Sequence, residues 1–273
     1  MDTNNSLYKF RDWEDDYHKK VITNCELYFG SNFTFNDPFD LQLPVILVGD
    51  RAIDEETIKN EYLKTTGKSL HPLKAKSIKN KWRQIQKSNP GIPKQYEEKM
   101  TKLAKSVEDR LGIYCMAKHY NNTLLWGHYA NSHKGFCICY NKEKLIKYIE
   151  SKFANNAMFK DVDYSEEIPK LDLGKIEFMP THQNNNISEY SSLRFSTKHT
   201  DWKYENEYRI LIDGFKNKAL TIPENLIEGV IFVINMLDDH KVEIASVVNE
   251  YSNVKMFQAA KNKSKFEIEI QEL

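Results

Sequence analysis

Long apolar runs and paired cysteines are the features that this sequence of 273 residues lacks. No segment approaches the roughly 20 consecutive apolar residues of a membrane-spanning helix, so we expect no membrane association. No signal peptide opens the chain and the cysteine spacing forms no disulfide framework, so we expect a reducing, cytoplasmic location. The four cysteines lie in apolar segments and are Cys25, Cys115, Cys137 and Cys139.

Metal-binding and phosphate-binding motifs are also missing. Neither the Walker pattern nor Gly-x-Gly-x-x-Gly occurs, which argues against a P-loop ATPase and a Rossmann enzyme. Cys137 and Cys139 stand two positions apart on a predicted strand, which is too stiff a spacing to wrap two thiolates round zinc, even with His128 and His133 nearby. We therefore predict no metal site and expect the cysteines to be small buried hydrophobes, since a cysteine nucleophile has no local signature here.

Acidic residues are absent between Tyr62 and Tyr96, although the chain as a whole has a formal charge of zero. That stretch carries nine Lys or Arg, within a charged segment that glycines and prolines interrupt, and we predict a lysine-rich helical insertion over residues 51–110. Ala75, Ile78 and Trp82 recur at helical spacing and should pack, leaving the lysines exposed. The basic segment 64–94 then either is a solvated face or contacts a nucleic acid or an acidic partner.

Short strands with a few interspersed helices make up the rest of the chain. Because strands and helices do not alternate strictly, the pattern favours an α+β fold over a doubly wound one. We predict a mixed, mainly antiparallel twisted sheet with flanking helices, in one domain over residues 1–273. Strands are predicted at 7–11, 25–29, 112–117, 136–140, 158–164, 175–179, 208–213, 219–222, 229–234, 254–259 and 266–270. Helices are predicted at 12–22, 121–132, 142–153 and 238–250, the last capped by Asp238 or Asp239.

The segment from Lys198 to Asp213 combines a tryptophan, Trp202, with three charges of alternating position. On a strand, Glu205, Glu207 and Arg209 would share one face. The alternatives are a solvated sheet face with a Glu-Arg ladder and a polar cleft whose carboxylates do chemistry. In the second case the two carboxylates would be near enough to raise the pKa of one of them.

Residues 126–135 are richer in functional side chains than a structural helix needs. On a helix, Trp126, Tyr129 and His133 share one face, and His128 falls off it. One interpretation places the two aromatic rings in the core with His133 at the helix end, where the macrodipole favours it. The other interpretation is a functional site.

Two further groups of polar side chains lie near the start of the chain. Lys9 and Arg11 share a side of the predicted first strand. The turn at Asn36, Asp37 and Pro38 places polar side chains beside phenylalanines, because Asx side chains bond the backbone ahead and proline fixes the next dihedral angle.

Four motifs follow one another along the chain, and each occurs once. They read Leu-Tyr-Lys-Phe-Arg at 7–11, Phe-Asn-Asp-Pro-Phe-Asp at 35–40, Leu-Trp-Gly-His-Tyr-Ala and His-Lys-Gly-Phe within 125–136, and Lys-x-x-x-Trp-x-x-Glu-x-Glu-Tyr-Arg at 198–209. Together they resemble the bacterial proteins catalogued as the domain of unknown function 2971 family, over most of the chain outside the insertion. The family name implies no chemistry, and the resemblance implies a setting in bacterial defence and mobile-element neighbourhoods.

The same residues are more distantly similar to ADP-ribosyltransferases, in which an early basic residue, a middle aromatic or Ser-Thr-Ser element and a late Glu-x-Glu hold NAD. The resemblance implies that Glu207 bonds the nicotinamide ribose and stabilises the cation as nicotinamide leaves, while Glu205 orients or deprotonates the acceptor. Ser196-Thr197 matches the start of Ser-Thr-Ser, but Lys198 replaces its last serine. The early position would be held by Arg11 or Lys9 and the middle one by Tyr129 or His128.

The first hypothesis is therefore an NAD-consuming ADP-ribosyltransferase-like effector of anti-phage defence that modifies a nucleic acid or a protein. The alternatives are a non-enzymatic sensor that binds a nucleotide or a phage component, and a metal-dependent nuclease. The sequence leaves the acceptor and the oligomeric state open. The candidate catalytic residues are Glu207, Glu205 and His128, and the candidate substrate-binding residues are Lys9, Arg11, Asn36, Asp37, Trp126, Tyr129, His133, Lys198, Trp202 and Arg209.

Overall fold

The computed structural model describes residues 5–43, 45–48, 55–88, 92–172 and 191–273. The strand predicted at 175–179 lies outside the described residues, as do parts of the predicted insertion. The chain divides into two compact units. The first comprises Met1–Asn36, Arg110–Tyr164 and Lys198–Leu273, and the second comprises Asp37–Asp109 and Ser165–Thr197.

Strands and helices are both numerous, which confirms the α+β class. The strands are β1 (Ser6–Arg11), β2 (Glu26–Phe29), β3 (Ile46–Val48), β4 (Gly112–Ala117), β5 (Phe136–Asn141), β6 (Ala157–Asp161), β7 (Asp163–Ser165), β8 (Lys170–Asp172), β9 (Thr197–His199), β10 (Glu207–Ile212), β11 (Lys218–Thr221), β12 (Ile227–Phe232), β13 (Lys255–Lys261) and β14 (Ile268–Glu272). The helices are α1 (Asp16–Thr23), α2 (Glu55–Thr66), α3 (Pro72–Ser88), α4 (Ile92–Glu108), α5 (Thr123–Tyr129), α6 (Lys142–Phe153) and α7 (Asp238–Val248).

An eight-stranded sheet forms the centre of the first unit, in the order β14-β13-β12-β5-β1-β4-β10-β6. Every neighbouring pair is antiparallel except β12 and β13, which are parallel and are joined through α7. A parallel pair needs such a crossover, because a tight turn joins only antiparallel strands. The sheet is thus mixed and mainly antiparallel, as predicted.

In the middle of this sheet, the neighbouring strands β1 and β4 are paired over little of their length. Strand β1 pairs with β5 over six residues, whereas its pairing with β4 is registered only at Tyr8 and Ala117. Past that point the ammonium of Lys9 donates to the carbonyl oxygen of Cys115 on β4, at 2.6 Å. The Lys9 side chain therefore satisfies a backbone acceptor of β4 where the two strands are no longer paired.

Helix ends follow local capping chemistry, and one predicted start and one predicted cap were wrong. Helix α1 begins at Asp16 and not at residue 12, because the side chain of Asp15 accepts hydrogen bonds from the backbone of Tyr17 and His18. Helix α7 begins at Asp238, as predicted, but its N-cap is Leu237, which provides no side-chain cap. Asp238 and Asp239 lie in the first turn, so the prediction that one of them caps the helix was wrong. By contrast, β4 and α6 have the predicted bounds.

The core of the first unit lies on both sides of the eight-stranded sheet. The edge of the Phe10 ring faces the Trp126 ring at a centroid distance of 4.8 Å, and Trp13 meets Phe136 in the same manner. The indole nitrogen of Trp13 donates to Glu243 of α7 at 2.7 Å. The four cysteines are free and three are fully buried, as predicted, with Cys115 partly buried.

The second unit contains α2, α3 and α4, so the helices predicted within residues 51–110 are present. Ala75 of α3 is completely buried and packs with Ile58 and Leu70. Lys79 reaches Glu55 of α2 at 3.3 Å. The organisation of residues 1–273 as one domain stays a prediction.

Each of the described helices is too short or too polar to cross a bilayer.

Candidate functional site

The carboxylates of Glu205 and Glu207 meet in the first unit, although only one of them lies on a strand. Residues Thr200–Glu205 form a 3-10 helix, Asn206 follows with the left-handed angles φ 42° and ψ 59°, and β10 begins at Glu207. The prediction that Glu205 shares a strand face with Glu207 and Arg209 was therefore wrong. Asparagine tolerates the left-handed region better than most residues, and it turns the chain between the two glutamates.

One ammonium group joins the two carboxylates. Lys198 Nζ lies 2.5 Å from Glu205 Oε2 and 3.4 Å from Glu207 Oε2. The guanidinium of Arg209 donates to Glu207 at 2.9 Å through both Nε and Nη2. Charge-assisted bonds of this kind are the strong hydrogen bonds of proteins, and the arrangement fixes the positions of both glutamates. We call these four residues the charged network.

Two tyrosines complete the polar shell around the charged network. Tyr129, at the end of α5, donates its hydroxyl proton to Glu205 Oε1 at 2.5 Å. Tyr164 accepts a hydrogen bond from the backbone nitrogen of Glu207 at 2.9 Å. The thiol of Cys115 also donates to Glu207, which brings in the neighbouring strand β4.

The charged network is inside the protein. The exposed side-chain fractions are 3% for Lys198, 6% for Glu205, 6% for Glu207 and 0% for Arg209. The interpretation as a solvated Glu-Arg ladder was wrong, because the side chains of a surface ladder would be exposed to water and these are buried. Two cations and two anions balance in this enclosed site, as buried charges require.

The two glutamates have opposite pKa shifts. Burial alone would raise the pKa of Glu207, but the charge and hydrogen bonds of Arg209, helped by Lys198, outweigh it and lower that pKa to about 2. Burial raises the pKa of Glu205, and the anion of Glu207 adds to this against the opposing charge of Lys198. The predicted rise of one pKa in the pair is thus found at Glu205, with burial as its main cause.

Lys9 is a third unusual ionisable group next to the charged network. Burial, together with the positive charge of Arg11, lowers the pKa of its ammonium to about 7, against the opposing charges of Cys115 and the two glutamates. The ammonium also lies 4.9 Å from the centroid of the Tyr114 ring. A lysine with a pKa near 7 exchanges its proton near neutral pH.

Three rings extend from the charged network toward the surface. Lys198 Nζ lies 4.7 Å from the ring centroid of Trp202. The Trp202 and Tyr204 rings are 6.0 Å apart and tilted by 36°, and the His128 ring is another 6.0 Å from that of Tyr204. We call Trp202, Tyr204 and His128 the aromatic ledge. His128 is exposed and the other two rings are partly exposed, so the ledge is accessible to a flat ring.

Trp126 and His133 lie apart from the charged network. Trp126 is fully buried, and its indole nitrogen donates to the carbonyl oxygen of Tyr120 at 2.6 Å, which is a core role. Helix α5 ends at Tyr129, so the prediction that His133 closes this helix was wrong. His133 instead has a positive φ of 65° and its backbone nitrogen bonds the Trp126 carbonyl oxygen.

The polar residues predicted near the start of the chain, Arg11, Asn36 and Asp37, do not lie together at one site. Arg11 is partly exposed and its charge acts on Lys9. Asn36 is exposed, and no contact joins it to the charged network within the described residues. Asp37 belongs to the second unit, where it accepts a hydrogen bond from the backbone nitrogen of Phe39 at 2.9 Å.

Sequence reasoning missed Tyr164 and Cys115 as neighbours of Glu207. Neither stands in a recognisable motif, since Tyr164 is the last residue of a predicted strand and Cys115 lies in the apolar run of β4. Their proximity depends on the pairing of β10 with both β4 and β6. No group of three or more His, Cys, Asp or Glu side chains among the described residues converges to hold a metal ion.

Comparisons with known proteins give one match. No curated protein and no solved structure matches the chain. The model of a family described as Protein of unknown function (DUF2971) matches residues 125–210, a segment that contains the whole charged network and both of its tyrosines. This match supports, over that segment, the family resemblance drawn from the sequence motifs.

Proposed function

We propose that the charged network is the reaction centre of an ADP-ribosyltransferase-like enzyme that consumes NAD. The observation that carries this proposal is the divergence of the two glutamate pKa values within one enclosed site. Two carboxylates whose pKa values are shifted in opposite directions are a common basis for splitting the roles of charge stabiliser and proton carrier. The likeness to ADP-ribosyltransferases in the Glu-x-Glu pattern supports the same assignment.

Glu207 has the properties of the charge stabiliser. When the bond from the ribose carbon to nicotinamide breaks, nicotinamide takes the bonding electron pair and leaves neutral, and positive charge develops on the ribose. A carboxylate with a pKa of about 2 is ionised at every physiological pH, and Arg209 holds it in one orientation. Preorganised charge of this kind stabilises a transition state without reorganisation.

Glu205 has the properties of the proton carrier. The acceptor forms a bond to the ribose carbon and loses a proton, which Glu205 takes. A raised pKa makes its carboxylate a stronger base than an ordinary glutamate. Activity should therefore fall as the pH drops through the pKa of Glu205, because the protonated acid no longer accepts a proton.

The aromatic ledge supplies a surface for a nucleotide ring. Offset stacking of flat rings on aromatic side chains is favourable, and a cationic ring is also attracted to an aromatic face. Both Trp202 and Tyr204 lie on the 3-10 helix that ends in Glu205. A ring bound on the ledge would thus be next to the covered carboxylates, and the proposal requires this short helix to move when substrate enters.

Nicotinamide release tests the proposal. Purified protein is incubated with NAD, and wild type is compared with Glu205→Gln and Glu207→Gln. Each substitution should lower the rate by about 10² to 10⁴-fold, the range typical of a lost acid–base or charge-stabilising group. The matched control is Glu228→Gln, because Glu228 is a partly buried glutamate bonded to Ser6 and Asn141, away from the charged network. Full activity in folded Glu207→Gln protein would overturn the assignment.

A non-enzymatic nucleotide sensor is the second candidate. Its supporting observation is that the four charges of the charged network satisfy one another inside the protein, which suits a fixed structural support more than a reacting group. This function predicts that NAD or another nucleotide raises the melting temperature with no nicotinamide released. The nuclease alternative gains no support from the described side chains, which form no metal-binding group.

The setting that we propose is anti-phage defence in the bacterial cytoplasm. The defence context follows from the family resemblance, and four free cysteines are typical of a reducing compartment. Cells carrying wild-type protein should resist a phage that infects cells carrying Glu207→Gln. Equal plaque numbers with both proteins would contradict this setting for that phage.

A further inference from the structure

Helix α3 presents one side of its surface to solvent with an unusual concentration of positive charge. Ala75 marks the buried side, where it packs against α2 and the segment that follows it. Ser77, Asn80 and Gln84 follow the spacing i, i+3 and i+7, which forms a polar stripe on the side opposite Ala75. All three are exposed.

Two rows of cations flank this polar stripe. Lys74 and Lys81 are seven residues apart on one side of it, and Lys76 and Arg83 are seven apart on the other. Each pair is separated along the helix axis by about 10 Å, given a rise of 1.5 Å per residue. We call these four cations and the three stripe residues the basic face.

Within the part of the chain that the structure describes, the charge of the basic face is not neutralised by neighbouring carboxylates. Lys79, which lies toward α2, is paired with Glu55. Among the described residues, none of the four flanking cations forms an ion pair, and all four are exposed. No acidic residue occurs between Tyr62 and Tyr96, so α3 itself supplies none. Six residues line an open depression here, namely Leu73, Lys76, Ser77, Asn80, Lys81 and Gln84.

We propose that the basic face binds the phosphodiester backbone of a nucleic acid. Rows of Lys and Arg match rows of phosphates, and Ser, Asn and Gln are side chains that commonly bond phosphate and sugar oxygens. This surface is in the second unit and its proposal does not depend on the NAD chemistry, although a bound nucleic acid would be a natural acceptor for it.

Other anionic partners fit this surface less well. A helix that binds a lipid surface buries a broad apolar face in it, but the apolar side of α3 is already used at Ala75. Leu73 is the one large apolar side chain in the depression. An acidic peptide that binds tightly commonly anchors an apolar or aromatic side chain in a pocket, whereas this depression is lined by polar groups.

Fluorescence anisotropy of the full chain with labelled oligonucleotides tests the proposal. Duplex DNA, single-stranded DNA and RNA of one sequence are titrated over a series of salt concentrations, so that the three arms identify which nucleic acid is preferred. We expect binding at low salt, with an affinity that falls as salt rises by a logarithmic slope of about 0.9 per phosphate neutralised on duplex DNA.

Matched double variants separate the basic face from general charge. Lys76→Gln with Lys81→Gln should reduce the salt slope by about 2 and the affinity at least tenfold, since each cation contributes about one phosphate contact. Lys144→Gln with Lys147→Gln removes two exposed lysines from α6, whose helix also carries acidic residues, and should bind as wild type.

Three outcomes would overturn the proposal. One is no oligonucleotide binding at low salt, and another is equal loss of affinity in the two double variants. The third is that polyglutamate displaces the labelled oligonucleotide as well as an unlabelled oligonucleotide does, at equal concentrations of negative charge. That result would indicate a surface that binds any polyanion. Nicotinamide release from free NAD should be unchanged in the α3 variant, so this proposal and the proposed enzyme activity fail separately.

Discussion

At the scale of single residues, two glutamates two positions apart have pKa values shifted in opposite directions because their neighbours differ. Glu207 is held by the Arg209 guanidinium through two hydrogen bonds, whereas Glu205 binds the Lys198 ammonium and accepts a hydrogen bond from the Tyr129 hydroxyl. The residue type alone would give both the same pKa. Burial then amplifies each contact, because the surroundings screen charge less than water does.

Breaking the bidentate pair should cost much more stability than replacing it. Glu207→Ala leaves the fully buried Arg209 without this carboxylate, and the free energy of unfolding should fall by about 3–5 kcal/mol. Glu207→Leu combined with Arg209→Met removes both charges and should lose less than either single change. Urea denaturation of wild type, Glu207→Leu, Arg209→Met and the double variant measures this, and a double variant that loses the sum of the two single variants would contradict it.

The lowered pKa of Lys9 predicts a stability effect with a definite sign. Between pH 7 and the ordinary lysine range the unfolded chain holds a proton that the folded chain has released, so the stability of wild type rises with pH there. Lys9→Met removes this dependence. Its melting temperature relative to wild type should therefore be higher at pH 6 than at pH 10.

The control for Lys9 is Lys144→Met, which removes an exposed ammonium from α6. Its melting temperature should follow that of wild type across the same range. If Lys9→Met also followed wild type at every pH, the ammonium of Lys9 would not be enclosed as described.

At the scale of elements, local chemistry determined which boundaries were predictable. The bounds predicted for α6 match the structure, in which Asn141 caps the helix by accepting a hydrogen bond from the backbone of Lys144. The position of Glu205 was not predictable from alternation, since Asn206 enters the left-handed region and ends the pattern. Lys198 was predicted as a site residue, but its ion pairs depend on that same turn.

Two glycines near α5 should respond oppositely to a methyl group. A Cβ at Gly135 would lie 2.1 Å from the Arg11 carbonyl oxygen, so Gly135→Ala must shift backbone and should cost about 1–3 kcal/mol or more. A Cβ at Gly127 would meet only His133 Nε2, at 3.7 Å. Gly127→Ala inside the helix should stabilise by about 0.5–1 kcal/mol. Thermal melts of both variants check the signs, and destabilisation of equal size would contradict this packing.

At the scale of the whole molecule, the central sheet joins segments that are distant in sequence. Strand β10, which carries Glu207, lies between β4 and β6, while β5 lies between β1 and β12. The class of fold follows from the pattern of strands and helices, but this strand order does not. Tyr164 and Cys115 were missed for that reason, because only the sheet order brings them to Glu207.

Because the fold buries its free cysteines, we expect their thiols to react slowly in the native protein. Three are fully buried, and burial raises the pKa of all four, to about 12 for Cys139. Native protein at pH 8 should react slowly with a thiol reagent, and four thiols should react at once in denaturant. Fast reaction of two or more thiols in the native state would contradict the packing of the sheet.

The ionisation of the two glutamates is the central claim, and carbon-13 NMR of glutamate carboxyl groups tests it most directly. Glu205→Gln and Glu207→Gln assign the two signals in the wild-type spectrum. The account predicts that the Glu205 signal titrates above the ordinary glutamate pKa, while the Glu207 signal stays that of a carboxylate down to about pH 2. Two signals that titrate together near the ordinary value would contradict it.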